Sequence, residues 1–486
     1  MDPLLGMTTV DTAPRGELFV GGNRVDTADR LPVVDPATGK EFASVSVAGA
    51  AECGAAVDAA AESLPGWART SPRDRAEVLR RAFEIMTAHG EQLARIITLE
   101  NGKVLADSRA EVAYAAEFFR WFSEEAVRVP GDFRTAPAGD KRIVVTHQPV
   151  GVSLLVTPWN FPAAMATRKL APALAAGCSV VLKPASETPL TALAIAEVLE
   201  LAGVPAGVVN VVVAAPTPVR VREMLHDPRV RNLSFTGSTE VGVKLLHESA
   251  DQVVRTSMEL GGNAPFLVLE DADVEAAVAG ALIAKLRNGG AACTAANRFY
   301  VHAAVAREFT AQLSHAMQRL RVGPGIDAAS DIGSLVSVVE RAKVEQIVDA
   351  ATSAGARAVV GGTSVAGAGA FYPPTILTGV DPDADILGVE IFGPVAPVVT
   401  FESEDDAVRM ANATPYGLIS YVYSRDVQRA FAVADRLDAG MVALNRGALS
   451  DPAAPFGGMK ESGIGREGGF AGIHEFLETK YIAAGL

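Results

Sequence analysis

Cys293 lies in the segment Asn288-Gly-Gly-Ala-Ala-Cys-Thr-Ala-Ala-Asn-Arg298, where small residues flank the thiol on both sides. An isolated cysteine is usually a small buried hydrophobe, but this run of small residues predicts an accessible sulfur. Even a few per cent of thiolate is strongly nucleophilic towards a carbonyl carbon. Cys293 is therefore a candidate nucleophile, provided that suitable residues surround it.

Other polar motifs are present in the chain, and they follow apolar segments or accompany glycines. They are Thr157-Pro-Trp-Asn-Phe-Pro162, Leu182-Lys-Pro-Ala-Ser186, Phe235-Thr-Gly-Ser-Thr239, Met258-Glu-Leu-Gly-Gly-Asn263, Glu390-Ile-Phe-Gly-Pro394 and Pro455-Phe-Gly-Gly458. The carboxyl ends of parallel strands meet at one edge of a sheet, and ligands bind there. Polar motifs at several such ends predict a single site.

The elements that must position these motifs can be inferred from hydrophobic spacing. Residues 50–125 have apolar residues at helical spacing, whereas short β-rich segments alternate with helix-like stretches such as Thr191–Leu201 from about residue 143 onwards. The expected strands are Gly151–Val156, Ser179–Leu182, Val208–Val213 and Asn232–Phe235. This alternation predicts an α/β fold with a mostly parallel sheet.

A second alternating set runs from about residue 262 to residue 460, and Gly261-Gly262 marks the expected change between the two units. Between Pro130 and Pro149 the residues alternate in character, which is typical of a β arm that projects from the body. We therefore expect two parallel-sheet α/β domains and a small arm.

Composition excludes several classes of function. The chain has 486 residues, 49% of them hydrophobic, and a formal net charge of -14 without a long basic cluster. We expect no nucleic-acid or membrane partner. The first residues, with Asp2, Asp11 and Glu17, do not resemble a signal peptide, and no apolar segment reaches eighteen residues. A cytoplasmic protein is expected.

Cysteine and histidine usage argues against metal sites and disulfides. The three cysteines, Cys53, Cys178 and Cys293, are too scattered for a disulfide framework or a zinc site, and the seven histidines lack metal-ligand spacing. We expect no bound metal and a reducing compartment.

One further pattern, Gly463-x-Gly465-x-x-Gly468, matches the dinucleotide-binding expression. No strand-like segment precedes it, and the chain ends before an acidic ribose ligand could follow about twenty residues later. We therefore expect a glycine-rich turn at this place and no phosphate binding.

In their order and separations, the motifs resemble those of the aldehyde dehydrogenase superfamily over essentially the whole chain, most closely the succinate-semialdehyde dehydrogenases. The resemblance implies a dinucleotide-binding domain (1–130 and 150–261), a catalytic domain (262–460), and an arm with a C-terminal strand (131–149 and 461–486). That arm would build a homodimer or homotetramer. The implied reaction is the NAD(P)-dependent oxidation of an aldehyde to a carboxylate.

The resemblance also implies roles for individual residues. Cys293 would form a thiohemiacetal and then a thioester, while Asn160 and the Cys293 backbone N–H stabilise the oxyanion. Glu259 would activate the water that hydrolyses the thioester, and could also deprotonate the thiol. The residues implied in cofactor binding are Thr157, Trp159, Lys183, Ser186, Gly237, Ser238, Glu390 and Phe392. Among these, Gly237 and Ser238 would begin a helix whose amides approach the pyrophosphate.

The matching positions also bear on substrate and cofactor choice. Arg168, Arg287 and Ser450 match residues that hold the distal carboxylate of succinate semialdehyde, so the implied substrate is a small anionic aldehyde. Glutarate semialdehyde remains a rival. Ser186 stands where NAD-selective members commonly have Glu, which favours NADP while leaving NAD possible. The adjacent Glu187 would reverse this argument if it faced the ribose.

The chain departs from the family pattern around the nucleophile. Ala291 stands where many members have Gln, and Thr294 and Ala295 follow Cys293 where some relatives have a second Cys. A disulfide switch in this loop is therefore not expected. Two other classes of function stay open: a cofactor-independent thioesterase or amidase that uses Cys293 and Glu259, and a catalytically silent relative.

Overall fold

The computed structural model describes residues 15–485, so Asp2 and Asp11 lie outside the described residues. Short strands open this range, four helices follow, and a β ribbon leads back to the body. These elements are β1 (Leu18–Val20), β2 (Asn23–Val25), β3 (Arg30–Asp35), β4 (Lys40–Ser46), α1 (Ala50–Arg69), α2 (Pro72–Ala88), α3 (Gly90–Asn101), α4 (Leu105–Glu125), β5 (Asp132–Thr135) and β6 (Lys141–Pro149). The helices confirm the helical spacing of residues 50–125.

The first α/β unit follows the ribbon. It consists of β7 (Val152–Val156), α5 (Pro162–Ala176), β8 (Val180–Lys183), α6 (Pro189–Leu201), β9 (Val209–Val211), α7 (Thr217–Leu225), β10 (Val230–Thr236), α8 (Thr239–Ala250) and β11 (Arg255–Glu259). Every residue of β7, β8 and β9 is buried, as expected for strands covered by helices on both faces. The four strands expected from the sequence are all present, with ends shifted by at most two residues.

The second unit repeats the alternation. It consists of β12 (Ala264–Val268), α9 (Val274–Leu286), β13 (Ala296–His302), α10 (Ala303–Gln318), α11 (Val338–Ser353), β14 (Arg357–Val360), β15 (Thr375–Thr378), β16 (Val395–Phe401), α12 (Glu404–Asn412), β17 (Tyr416–Gly417), β18 (Ile419–Tyr423), α13 (Val427–Ala434) and β19 (Met441–Leu444). Its sheet has the order β14-β15-β16-β13-β12-β18-β19, and only the β14–β15 pair is antiparallel.

The last strands return to the earlier sheets. They are β20 (Met459–Lys460), β21 (Gly463–Ile464) and β22 (Leu477–Gly485). Strand β21 completes an eight-stranded sheet of order β2-β1-β9-β8-β7-β10-β11-β21, whose inner strands are parallel. Strand β22 pairs with β6 over nine residues and forms the arm with β5. Within the range 461–486, β21 belongs to the eight-stranded sheet and β22 to the arm.

The buried core changes between Leu260 and Ala264. One apolar cluster draws its members from Leu18–Leu260 and Ile473–Leu477, whereas the two clusters around the second sheet draw theirs from Ala264–Phe456 and from Leu267–Leu437. Gly261 and Gly262 lie at this change. No helix within residues 15–485 is long and apolar enough to cross a membrane.

The Gly463-x-Gly465-x-x-Gly468 motif, expected to be a glycine-rich turn, begins with the short strand β21, and only Gly465 and Gly468 lie in the irregular segment after it, with φ 90° and 66°. Gly463 has φ +146°, and a Cβ there would lie 2.1 Å from the Met258 carbonyl oxygen on β11. The glycine is therefore needed for the close approach of β21 to the edge of the eight-stranded sheet.

Candidate active site

Two cavities meet at Cys293. The larger cavity has a volume of about 410 Å³ and is lined by Cys293 together with residues such as Asn160 and Gly261. The smaller cavity has a volume of about 160 Å³ and is lined by Cys293 together with residues such as Thr294 and Phe161. Cys293 is half-buried and contributes to both walls. A thiol between two cavities can contact one ligand on each side at the same time.

Close backbone packing holds the Cys293 segment in place. Asn288, Gly289 and Gly290 take the left-handed φ values 55°, 60° and 81°. A Cβ at Gly290 would lie 2.3 Å from the Gly393 carbonyl oxygen, and one at Gly262 would lie 2.4 Å from the Cys293 carbonyl oxygen. Small residues at these positions therefore let three chain segments converge at the thiol.

Burial controls the acidity of the thiol. Desolvation raises the pKa of Cys293 to about 12, although Arg168 and Arg287 favour the thiolate. At neutral pH the sulfur is therefore protonated, and a base has to take its proton before attack on a carbonyl carbon.

Asn160 follows β7 and borders the larger cavity beside Cys293. Its side-chain oxygen accepts a hydrogen bond from the Phe161 N–H at 3.1 Å, which turns the Nδ2 group away from the backbone. Within residues 15–485 neither this Nδ2 nor the Cys293 N–H has an acceptor. Two free donors beside a nucleophile suit an oxyanion.

Glu259 ends β11 behind the cavity walls and is only 4% exposed. Burial and then the charge of Glu467 raise its pKa well above the usual range. Both of its carboxyl oxygens lack a hydrogen-bond partner in the described chain. Nearby, Glu467 forms ion pairs with Lys169 and, at 3.4 Å, with Arg168. A buried carboxylate of raised pKa is a stronger base than an exposed one, which suits a role in proton transfer.

The larger cavity carries five of the eight residues expected to bind a cofactor: Trp159, Gly237, Ser238, Glu390 and Phe392. The rings of Trp159 and Phe392 pack edge to face, with centroids 5.5 Å apart. Ser238 is the N-cap of α8, and its Oγ accepts from the Val241 N–H at 3.4 Å. The N-terminus of α8 therefore lies at the cavity wall, and the positive end of a helix favours a phosphate group.

The Glu390 carboxyl interacts with the Gly262 backbone and with the charge of Lys285. Its Oε1 accepts from the Gly262 N–H at 3.0 Å, and burial raises its pKa to about 7 while Lys285 opposes that shift. Lys285 is itself buried, and its ammonium donates to the Asn297 side chain and the Ile391 carbonyl. The carboxylate is thus fixed at the cavity wall.

The remaining three expected cofactor residues, Thr157, Lys183 and Ser186, are not on the wall of this cavity. They end or follow the adjacent strands β7 and β8, where Thr157 donates its N–H to the Lys183 carbonyl at 3.2 Å. Burial lowers the pKa of Lys183 to about 8, and its ammonium has no acceptor within the described residues. An unpartnered buried ammonium fits the hydroxyls or phosphate of a dinucleotide.

The smaller cavity brings together the three expected substrate residues, Arg168, Arg287 and Ser450. Arg168 is fully enclosed: its guanidinium lies 4.2 Å from the centre of the Phe456 ring and donates to the Tyr114 hydroxyl at 2.6 Å. Arg287 is half-buried and forms no ion pair in the described part of the chain. Arg287 is therefore the cation most available to an anionic ligand.

Sequence reasoning missed the residues behind the walls. Lys103 and Glu111 form a fully buried ion pair at 2.6 Å, and Lys103 also donates to the Asn160 carbonyl at 2.6 Å. Nothing in their helical surroundings distinguishes these residues in the sequence. The left-handed backbone of Asn288 could have been predicted, because Asn tolerates that conformation and is common in turns beside Gly.

The comparisons agree on one family. A family model described as the aldehyde dehydrogenase family matches residues 24–482. A succinate-semialdehyde dehydrogenase of Paenarthrobacter nicotinovorans is 54% identical over 91% of this chain and 98% of its own. A glutarate-semialdehyde dehydrogenase of Pseudomonas aeruginosa is 48% identical over 97% and 98%. A crystal structure of an NADP-dependent enzyme from E. coli has a TM-score of 0.95 at 46% identity, covering 97% and 98%.

Proposed function

The chain belongs to the aldehyde dehydrogenase family, and from that membership we propose that it oxidises succinate semialdehyde to succinate with NADP. One observation supports the choice of substrate: Cys293, Arg287 and Arg168 all line the small cavity. An aldehyde that ends in a carboxylate matches a nucleophile and guanidinium groups around one cavity. Ser450 supplies a hydroxyl to the same wall.

Attack on the aldehyde uses the groups beside the sulfur. Arg287 and Arg168 hold the carboxylate of the substrate, which leaves its carbonyl carbon at Cys293. The thiol loses its proton to a base, for which the buried Glu259 is our candidate, and the sulfur adds to the carbonyl carbon. Asn160 Nδ2 and the Cys293 N–H receive the negative oxygen.

Oxidation and release follow on the same sulfur. When bound in the larger cavity, the nicotinamide ring supplies the hydride acceptor. As the oxyanion collapses, the C–H bond breaks and its hydride leaves for that acceptor, which gives a thioester on Cys293; water then hydrolyses the thioester with Glu259 as the general base. Burial and the charge of Glu467 raise the pKa of Glu259, which makes its carboxylate a stronger base than an exposed glutamate.

The chain's own residues would hold the dinucleotide at several places. Glu390 would accept from the nicotinamide ribose, the N-terminus of α8 would hold the pyrophosphate, and Lys183 would donate to the adenine ribose. Ser186 leaves space for a 2′-phosphate where a carboxylate would repel it. The E. coli structure described as NADP dependent supports this choice, and NAD is the second candidate.

A second substrate has support from a specific relative. The glutarate-semialdehyde dehydrogenase of Pseudomonas aeruginosa is nearly as similar as the succinate-semialdehyde enzyme. The two aldehydes differ by one methylene, which changes binding by about 1–3 kcal/mol. A cofactor-independent thioesterase has less support, because it leaves Lys183, Glu390 and the N-terminus of α8 without a role.

Assembly and location belong to the same proposal. The first sheet would bind the dinucleotide, the second would carry the nucleophile, and the arm would join copies into a homodimer or homotetramer. Three cysteines without disulfides fit a reducing compartment, which supports the cytoplasm.

A kinetic panel tests substrate and cofactor together. We expect kcat/KM to be highest for succinate semialdehyde, lower for glutarate semialdehyde and far lower for butanal, with NADP preferred over NAD. Equal use of butanal would contradict the anionic substrate. Thioester hydrolysis without any reduced dinucleotide from any aldehyde would contradict the dehydrogenase proposal.

A further inference from the structure

The side chain of Asn288 connects the two chain segments that supply the oxyanion donors. Its Nδ2 donates to the Asn160 carbonyl at 2.7 Å and to the Ala291 carbonyl at 2.9 Å. Because both neighbours are carbonyl oxygens, the NH₂ group must face them, so the amide orientation is unambiguous. One amide thus uses both protons to join the Asn160 segment to the segment that ends at Cys293.

The backbone of Asn288 is fixed as firmly as its side chain. The residue is buried with φ 55°, a left-handed conformation that Asn tolerates better than most residues. Its N–H donates to Asp107 Oδ2 at 2.9 Å, and its carbonyl accepts from the Ala291 N–H at 3.0 Å. Asn288 therefore cannot shift without moving the nucleophile segment.

The Asn160 carbonyl accepts a second hydrogen bond, from the Lys103 ammonium. Lys103 also donates to Glu111, and Glu111 accepts from the N–H groups of Ala163 and Ala164. Both lone pairs of this carbonyl are thus occupied by buried donors. The orientation of the Asn160 peptide, and with it the direction of the Asn160 side chain, depends on Lys103 and Asn288 together.

We propose that Asn288 is a positioning residue that sets the separation between the Asn160 amide and the Cys293 N–H. The inference rests on the proposed aldehyde oxidation, since it concerns the oxyanion of that reaction. Preorganised donors stabilise an oxyanion only when they are correctly spaced, and a displacement of about 1 Å can cost 10²-fold in rate. Asn288 acts through other groups and does not touch the substrate.

The test measures the rate constant of the first hydride transfer by single-turnover absorbance. Asn288→Gly keeps the left-handed backbone accessible and removes only the amide, while Asn288→Asp keeps the size and replaces both protons with a repelling oxygen. We expect Asn288→Gly to slow the burst about 10- to 100-fold, and Asn288→Asp to slow it at least as much. Partial unfolding would lower the burst amplitude and not its rate constant.

A double-mutant cycle separates positioning from general stability. If Asn288 acts through Asn160, then Asn288→Gly should change the burst less than twofold in an Asn160→Ala background, with NADP affinity unchanged. Asn445→Gly is the matched control, because Asn445 has φ 53° and donates its amide to the Ser424 carbonyl at 2.9 Å. It should leave the burst rate constant unchanged.

The outcomes are distinct. A burst within twofold of the parent in Asn288→Gly, or equal losses with and without Asn160, would overturn the inference while the proposed function stands. A parent that forms no reduced dinucleotide from any aldehyde would overturn the proposed function and this inference with it.

Discussion

The environment of Cys293, the proposed nucleophile, differs from that of the other two cysteines. Cys53 and Cys178 are buried among apolar side chains, whereas Cys293 reaches two cavities. The same convergence of chain that builds those cavities desolvates the sulfur and raises the pKa of Cys293 to about 12. The packing of chain segments around Cys293 therefore accounts both for its access to the two cavities and for its high pKa.

That pKa gives a pH-dependent prediction for alkylation by iodoacetamide. With no cofactor bound, the thiolate fraction of Cys293 should rise about tenfold per pH unit, so labelling should accelerate about 100-fold from pH 7 to pH 9 without a plateau. Mass spectrometry locates the adduct, and Cys293→Ala is the control. A plateau below pH 9 would mean that burial does not raise the pKa.

The two arginines of the small cavity differ in what else they contact. Arg168 is engaged by Glu467, Tyr114 and the Phe456 ring, while Arg287 forms no ion pair in the described residues. Arg168 thus contributes to the packed interior as well as to the cavity wall. Arg287 is freer to respond to a ligand.

We expect Arg287→Ala to lower kcat/KM for succinate semialdehyde about 30-fold, the equivalent of about 2 kcal/mol for a charged hydrogen bond. Turnover of butanal should change little, because that substrate has no carboxylate. Arg168→Ala should have the same selectivity and also lower the unfolding temperature, since Glu467 loses a buried partner. Equal losses on both aldehydes would assign the arginines a structural role alone.

At the scale of elements, strand register brings distant residues to one edge. Val156 pairs with Lys183, Phe235 with Val156, and Thr236 with Glu259. Parallel strands in register end together, so the motifs that follow β7, β8, β10 and β11 share one edge of the sheet. The loop after β8 is the part of this edge that bears on cofactor choice.

In that loop Ser186 is half-buried and Glu187 is exposed, yet the charge of Glu187 raises the pKa of Lys183 against the effect of burial. We expect Ser186→Glu to lose at least tenfold of the preference for NADP over NAD, because a carboxylate there repels the 2′-phosphate. The measurement is the ratio of kcat/KM for the two dinucleotides.

Glu187→Gln is the matched control for that substitution. It should change the ratio less than twofold if Ser186 faces the ribose. If the ratio changes more in Glu187→Gln than in Ser186→Glu, or if the parent prefers NAD, then Glu187 and not Ser186 faces the ribose.

At the scale of the whole molecule, the arm presents an unusual surface. Phe133 is 70% exposed and Tyr481 is 55% exposed, and Ile482 beside it is also exposed. Strands β5 and β22 are the edges of the three-stranded arm sheet. Exposed apolar side chains on a sheet with open edges favour association with another copy.

We expect Tyr481→Asp combined with Phe133→Asp to reduce the molar mass in solution to a smaller assembly, measured by light scattering after size exclusion. Burying two charges in an apolar contact is costly, so association should weaken. Val359→Asp is the control, since Val359 is exposed on β14 at the edge of the other sheet. An unchanged mass in the arm variant would exclude the arm from the interface.

The sequence by itself determined the fold class and the motifs of the site. Apolar periodicity was sufficient for the helices of residues 50–125 and the strands from Val152 to Thr236, because those residues are buried and burial selects apolar side chains at regular spacing. The strands β1 to β4 were not recognised, since β2 to β4 contain exposed positions and β1 has only three residues, so they lack the continuous buried run of β7 and β8. Cys293, Asn160 and Glu259 were identified through motif order.

Only the tertiary structure decided how those residues interact. The pKa of Cys293, the pairing of Arg168 with Glu467 and the contact of Lys103 with the Asn160 carbonyl join residues that are far apart in the chain. Such contacts depend on desolvation and on distances of a few ångströms, and spacing along one chain specifies neither. For that reason Asn288 was visible in the sequence as a turn residue, and became a link between two donor segments only when the chain was folded.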